Sequence, residues 1–360
     1  VAASPPRTTY RLLLEVTMFL KKKAAAGVAA AALAITLSLT GCGANPKAAL
    51  IKVDTGDTIE YGYANFVANY YKAQYDINYK PYYGESMWTS DIKQNGTTLE
   101  ENVKSQVIDQ IEEQWAIRQH AGDYGVTLSD DDNAKIEEYS NKFLEANTEN
   151  GLNKMGGNKQ YAVEFLTNMA YAIKVQNEIY EETETDFTAA ETEQSTISYV
   201  RFSTEGTTGS DGTETPMSDE DKAAAKKNAE DLAAAGAANY ETKAGELSGE
   251  VKSFSYTKAD STFEGMIIPA NVINESKSLK EGEISKAIEG EDGWYVVRMD
   301  KLLDEEATEN KKSTLTSSAR SDHYREVVDG WKEGYTFTLD EKLWEKQSLQ
   351  EVAFTQKASN

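Results

Sequence analysis

The rhythm of apolar and polar positions changes character along the chain. Leu50-Ile51-Lys52-Val53 alternates, Asp54-Thr55-Gly56-Asp57 supplies turn residues, and Thr58-Ile59 resumes the alternation, which predicts a short hairpin. The period then becomes helical. Tyr63, Phe66, Val67, Tyr70, Tyr71 and Tyr75 share one face, and residues 79–84 read as a loop. Thr98 and Glu101 have capping-box spacing ahead of Leu99, Val103, Val107, Ile111 and Trp115, with Gly122 and Gly125 at the expected end. Ser129 and Asp132 cap a further helix that turns Ile136, Tyr139, Phe143 and Leu144 inward. After glycine breaks at Gly151 and Gly156-Gly157, Tyr161, Phe165, Met169, Ile173 and Ile179 line a long amphipathic helix.

The acidic, threonine-rich stretch 181–195 reads as a linker or exposed helix end, and beyond it the pattern changes again. Residues 197–202 alternate as a strand, 203–217 are a Gly/Ser/Thr loop, and Ser218 caps an alanine-rich helix ending at Gly236. Residues 251–256 form a second strand and Pro269 opens a short helix. Residues 284–288 and 294–299 close a hairpin. The order β-α-α-β-α-β-β defines an α+β unit of about 100 residues. A last helix, about 305–332, and an amphipathic tail with Phe337, Leu339, Leu343 and Trp344 end the chain. The length of 360 residues accommodates roughly two domains.

Composition narrows the function classes. Sixty acidic against 37 basic residues leave a formal charge of −23, which argues against a nucleic-acid partner because phosphate binding needs clustered Lys and Arg. One cysteine, Cys42, rules out an intrachain disulfide. Two distant histidines, His120 and His323, give neither a zinc site nor a hydrolytic triad. The acidic runs 130–132 and 289–292 lack EF-hand spacing and fit a helix N-terminus and a turn, so no metal or cofactor is expected.

The leader carries the first specific signal. From Met18 the chain reads MFLKKK, an apolar run from Ala24 to Leu39, then Leu39-Thr40-Gly41-Cys42. The basic cluster and short apolar run match a signal peptide rather than a spanning helix. The last four residues resemble the bacterial lipobox, which implies cleavage before Cys42 and diacylglycerol on its sulfur. Residues 1–17 do not fit a signal n-region and read as an extension ahead of a true start at Met18, 18–41 as the signal peptide, and 42–47 as a lipidated tether.

Two further stretches carry a resemblance. Val107–Glu113 through Gly125-Val126-Thr127-Leu128-Ser129-Asp130 resembles the helical chaperone domain of the PrsA/SurA foldases, as does the opening hairpin. Residues 196–301 resemble a parvulin-type prolyl isomerase domain. Ile197-Ser198-Tyr199-Val200 stands where that family has "SHIL", Leu279-Lys280-Glu281-Gly282-Glu283-Ile284-Ser285 matches "LKxGEIS", and Gly293–Val297 matches "GYHII". The resemblance implies a helical chaperone domain at 48–190, completed by a C-terminal helix and tail at 305–360, with a parvulin-like domain inserted at 196–303. It implies unfolded or newly exported polypeptides as partners, a lipid anchor in the membrane, and a place on the outer face of a Gram-positive-type cytoplasmic membrane.

The chain departs from the parvulin pattern where the chemistry lies. The two pocket-floor histidines of the family are replaced by Tyr199 and Tyr295, and Ile268 and Val272 stand near its pocket Met and Phe positions, with Leu279 beside them. Turning an X–Pro bond faces a barrier of about 18–20 kcal/mol and needs a shaped apolar pocket with a hydrogen-bond network, not a nucleophile. Tyrosine is bulkier than histidine and does not change charge near neutral pH. The expectation is therefore a foldase whose parvulin-like domain is a degenerate isomerase serving as a binding or spacer module. The alternatives are an active isomerase with an unusual pocket, a transporter substrate-binding lipoprotein, which would show repeated βαβ units, and a surface scaffold. Tyr70, Tyr71, Tyr75, Tyr82 and Tyr83 are the candidate client-binding residues, since tyrosine joins apolar area to a polar tip.

Overall fold

The computed structural model describes residues 33–34, 44–208, 214–260, 266–350 and 355–356. The readings of 1–17 as an extension, 18–41 as a leader and Cys42 as a lipid site lie outside these residues, Leu33 and Ala34 excepted. The chain divides into two units, one of residues 1–183 with 320–360 and one of 184–319.

The first unit opens with β1 (Ala49–Val53) and β2 (Thr58–Glu60), an antiparallel pair across the Asp54–Asp57 turn. Helix α1 (Tyr61–Asn78) follows directly. Residues 79–84 are not a plain loop. Pro81 sits in the first turn of a one-turn helix, Lys80–Tyr83, where its missing N–H is no loss. Helices α2 (Leu99–His120) and α3 (Asp130–Ala146) both start on complete capping boxes, Thr98/Glu101 and Ser129/Asp132. Each cap is worth about 1 kcal/mol. Gly151 does not break the chain: it lies within α4 (Glu149–Met155), where its N–H is capped by the Thr148 hydroxyl. The break falls at Gly156, whose φ of +67° a side chain would strain. Helix α5 (Lys159–Glu182) then runs through the unit.

The second unit begins with β3 (Gln194–Ser203), so the strand starts before Ile197 and the linker is shorter than its composition suggests. A two-residue ladder, Thr207–Thr208 with Glu214–Thr215, lies in the Gly/Ser/Thr segment. Helices α6 (Asp219–Ala234) and α7 (Tyr240–Glu246) lead to β4 (Lys252–Thr257). Then come α8 (Ala270–Ser276), β5 (Ile288–Glu289) and β6 (Gly293–Lys301). The sheet order is β4-β3-β6-β5, all antiparallel. Strand β3 is central and buried on both faces, so its alternation sorts side chains between two cores rather than between core and water. Val200, Phe202 and Val296 pack under α6 and α7, with Leu232 and Tyr240. Ile197, Tyr199, Tyr295, Val297 and Met299 pack on the other face under α8.

Helix α9 (Glu305–Glu333) begins in the second unit and returns the chain to the first. There Tyr324 and Val328 pack with Ile117, Val175 and Ile179. The tail is not simply amphipathic. Phe337–Leu339 forms β7, which adds to the edge of β1 in the order β7-β1-β2. The α+β class expected from the pattern stands, with a helical unit and a sheet-centred unit.

Candidate functional site

The sheet face under α8 gathers the residues that the parvulin resemblance singles out. Tyr199 leaves β3 and Tyr295 leaves β6 on the same side, because Tyr199 pairs with Val297 and Arg201 with Tyr295 in the antiparallel register. Their ring centroids are 6.1 Å apart with planes inclined by 33°. Ile268 and Val272 come from the start of α8 and its approach and are fully buried, and Leu279 packs half-buried at the edge. All five candidates therefore meet in one apolar cluster.

That cluster is closed. Tyr295 is 1 % exposed and Tyr199 8 %. The Tyr295 hydroxyl donates to Asp292 Oδ1 at 2.7 Å, and Arg201 pairs with the other oxygen of the same carboxylate. Burial works against the Asp292 charge, but the bonds from Tyr295 and Arg201 and the arginine's charge outweigh it and hold the carboxyl below its ordinary range. Burial, followed by the neighbouring carboxylate, pushes the Tyr295 phenol upward. Neither group is poised to exchange a proton near neutral pH. The Tyr199 hydroxyl has no hydrogen-bond partner among the described residues.

Sequence reasoning missed the partners that fix this floor. Tyr256 on β4 is 2 % exposed, and its hydroxyl shares a hydrogen bond of 3.1 Å with Ser276 at the end of α8. Its alternation with Phe254 in the predicted strand was the available signal. Asp292 and Arg201 had none, since the first sits in a turn and the second at an exposed strand position. Among the described residues no three His, Cys, Asp or Glu side chains converge to hold a metal ion.

The five tyrosines proposed for client binding do not form one surface. Tyr70 and Tyr71 pack edge-to-face at 5.8 Å, and Tyr70 lies 5.0 Å from Phe165. Tyr71 donates to Gln110 Oε1 at 2.6 Å, and burial raises both phenols. Tyr75 packs on Trp88 at 5.6 Å. These three are half-buried wall residues of the first unit's core, because the α1 face that looks amphipathic is covered by α2 and α5. Tyr82 and Tyr83 on the one-turn helix are 85 % and 53 % exposed.

Comparison with known proteins finds one family match and several distant structural likenesses. Residues 177–309 match the PPIC-type PPIASE domain family. The chain is similar to foldase protein PrsA from Lactococcus lactis, at 15 % identity over 84 % of this chain and 99 % of that one, with a TM-score of 0.36. It is similar to the SurA-like chaperones of Campylobacter jejuni, at 14 % identity over 81 % and 99 % of the two chains, TM-score 0.26. For peptidylprolyl isomerase PrsA from Bacillus anthracis the values are 14 % identity, 63 % and 96 % coverage, and TM-score 0.26. None of the curated proteins matches the chain.

Proposed function

Taking as premise that the chain carries a parvulin domain of the PPIC type at residues 177–309, we propose that it is a lipid-anchored extracytoplasmic foldase. It binds exported polypeptides through its helical unit and keeps the parvulin domain as a binding module rather than an isomerase. The observation that carries this reading is the closed floor: Tyr295 is 1 % exposed and its hydroxyl is spent on Asp292. An isomerase must admit the proline ring and offer hydrogen bonds to the twisted amide. Here two phenol rings occupy the space between sheet and helix, and one of the two hydroxyls is already engaged. The leader ending at Leu39-Thr40-Gly41-Cys42 supports the anchor and the export. The exposed pair Tyr82 and Tyr83 supports client contact. Antiparallel pairing of every described strand speaks against a transporter-type binding lipoprotein, which needs parallel βαβ lobes.

The test is prolyl cis/trans exchange on a short X–Pro peptide, followed by NMR with the chain from Gly43 onward. No acceleration is expected, together with suppressed aggregation of an unfolded client at several-fold excess. A second reading, an active isomerase, is favoured by the free Tyr199 hydroxyl, which can donate to a substrate amide. Acceleration that disappears in Tyr199→Phe would establish that reading and overturn the first.

A further inference from the structure

The first unit contains a groove of about 810 Å3 whose lining belongs wholly to that unit. One wall is the face of α2 from Thr98 to Glu112, and the other is the C-terminal segment from Leu339 to Gln350. Its walls are fixed. The Glu100 carboxylate, itself buried, accepts the Leu349 N–H at 2.6 Å and the Gln350 side-chain amide. Lys104 donates to the Gln347 carbonyl at 2.6 Å and lies 5.5 Å over the Trp344 ring. The groove is therefore held open by bonds between its two sides rather than filled by them.

The chemistry of the lining is mixed in a particular way. Ile108, Leu339 and Trp344 give it an apolar floor, while Glu101, Asp109, Glu112 and Glu345 stand along it. Asp109 is 68 % exposed. The cations nearby are already engaged: Lys104 on the Gln347 carbonyl, and Lys332, which pairs with both Asp109 and Glu112. With Glu100 the carboxylates number five against two amines, so the groove presents a net negative field over an apolar base. A field confined between low-dielectric walls acts more strongly than the same charges on a flat surface.

We propose that this groove receives an extended polypeptide segment in which basic side chains flank apolar ones, the apolar groups resting on Ile108, Leu339 and Trp344 and the cations meeting Asp109 and Glu345. The inference rests on the client-binding reading above and gives it a location and a preference. Charge complementarity selects the occupant: an acidic segment would meet uncompensated like charge, and a purely apolar one would leave the rim carboxylates facing it without partners.

The test uses the chain with a short fluorescein-labelled peptide in which lysines flank leucines, spaced by glycine and serine, and a partner peptide with glutamate in place of lysine. Fluorescence anisotropy should show binding of the lysine peptide that weakens with salt, and none of the glutamate peptide. Asp109→Asn with Glu345→Gln should weaken the lysine peptide by roughly three- to tenfold, with the folded far-UV circular-dichroism spectrum retained. Equal binding of both peptides, or unaltered binding by the double variant, overturns the proposal. So does a concentration-dependent dimer broken by the same pair, which would make the groove a self-interface. Client aggregation is measured alongside: suppression without a charge preference refutes the groove and spares the foldase reading, whereas no suppression refutes the foldase reading itself.

Discussion

Tyr295→Phe removes a single oxygen from the closed floor and leaves the ring in place. The lost group is a phenol that donates at 2.7 Å to Asp292, a carboxylate that stays paired with Arg201. A hydrogen bond to a charged acceptor contributes about 1.5–3 kcal/mol, and the surviving arginine keeps the carboxylate from being orphaned, so the net loss should be about 1–2 kcal/mol. Hydrogen exchange followed by mass spectrometry reads this locally. The amides of β3 and β6 should exchange roughly 5–30 times faster while those of α2 and α5 are unchanged. The acid limb supplies an independent check. Asp292 is held below its unfolded range, so its stabilisation is present above the unfolded carboxylate pKa of about 3.9 and is lost as pH falls through the lower folded value. The gap between wild type and Tyr295→Phe should therefore narrow on acidification. A variant that exchanges like wild type, or a gap that widens below pH 4, would refute the view that this bond holds the floor shut.

Three other perturbations follow from the same geometry. Asp304, held down to about 2 by Thr196 and Lys301, also caps the Ala307 N–H at the start of α9, so Asp304→Ala should cost about 1–3 kcal/mol at pH 7 and much less near pH 2, read from urea midpoints. Glu113 is raised to about 7 by burial, then by Asp109 and Asp329 against Lys332 and Tyr324. Its cost appears as pH climbs above the unfolded value of about 4.3 and is complete above about 7, so Glu113→Gln should stabilise the first unit by about 1–3 kcal/mol at pH 8 and by little at pH 4. A Cβ at Gly293 would lie 2.5 Å from the Phe202 carbonyl oxygen, so Gly293→Ala must part β3 from β6 and should cost ~2 kcal/mol or more, visible as a lowered melting temperature.

Local chemistry made much of the fold legible. The capping boxes at Thr98 and Ser129 name their helices because a side chain three residues on completes a bond that any tertiary setting leaves intact. The closing hairpin could be read in part: residues 294–299 lie within β6, but of 284–288 only Ile288 joins a strand, β5. What escaped was decided by local geometry that composition does not declare, or by distant partners. Gly151 looks like a breaker until Thr148 caps it, and Pro81 looks like loop punctuation although it suits a first helical turn. Phe337–Leu339 is too short to declare itself a strand. It becomes one because β1 has a free edge, a fact some 280 residues away in sequence. Tyr70, Tyr71 and Tyr75 are half-buried for a related reason: periodicity marks a face as sticky without saying whether α2 and α5 already occupy it.

The site was legible to a different depth. Aligning two strands with a family pattern is enough to put Tyr199 and Tyr295 on one face, since antiparallel register fixes sidedness. It does not say whether the phenols enlarge a pocket or fill it, because that depends on residues with no motif. Asp292 decides it for Tyr295: a carboxylate already paired with Arg201 holds the hydroxyl toward the turn that carries it. Tyr256 decides it from the opposite side by tying β4 to α8 through Ser276. The surrounding bonds hold the Tyr295 phenol in the closed arrangement, whereas the Tyr199 hydroxyl, on a ring whose centroid is 6.1 Å away, has no hydrogen-bond partner among the described residues.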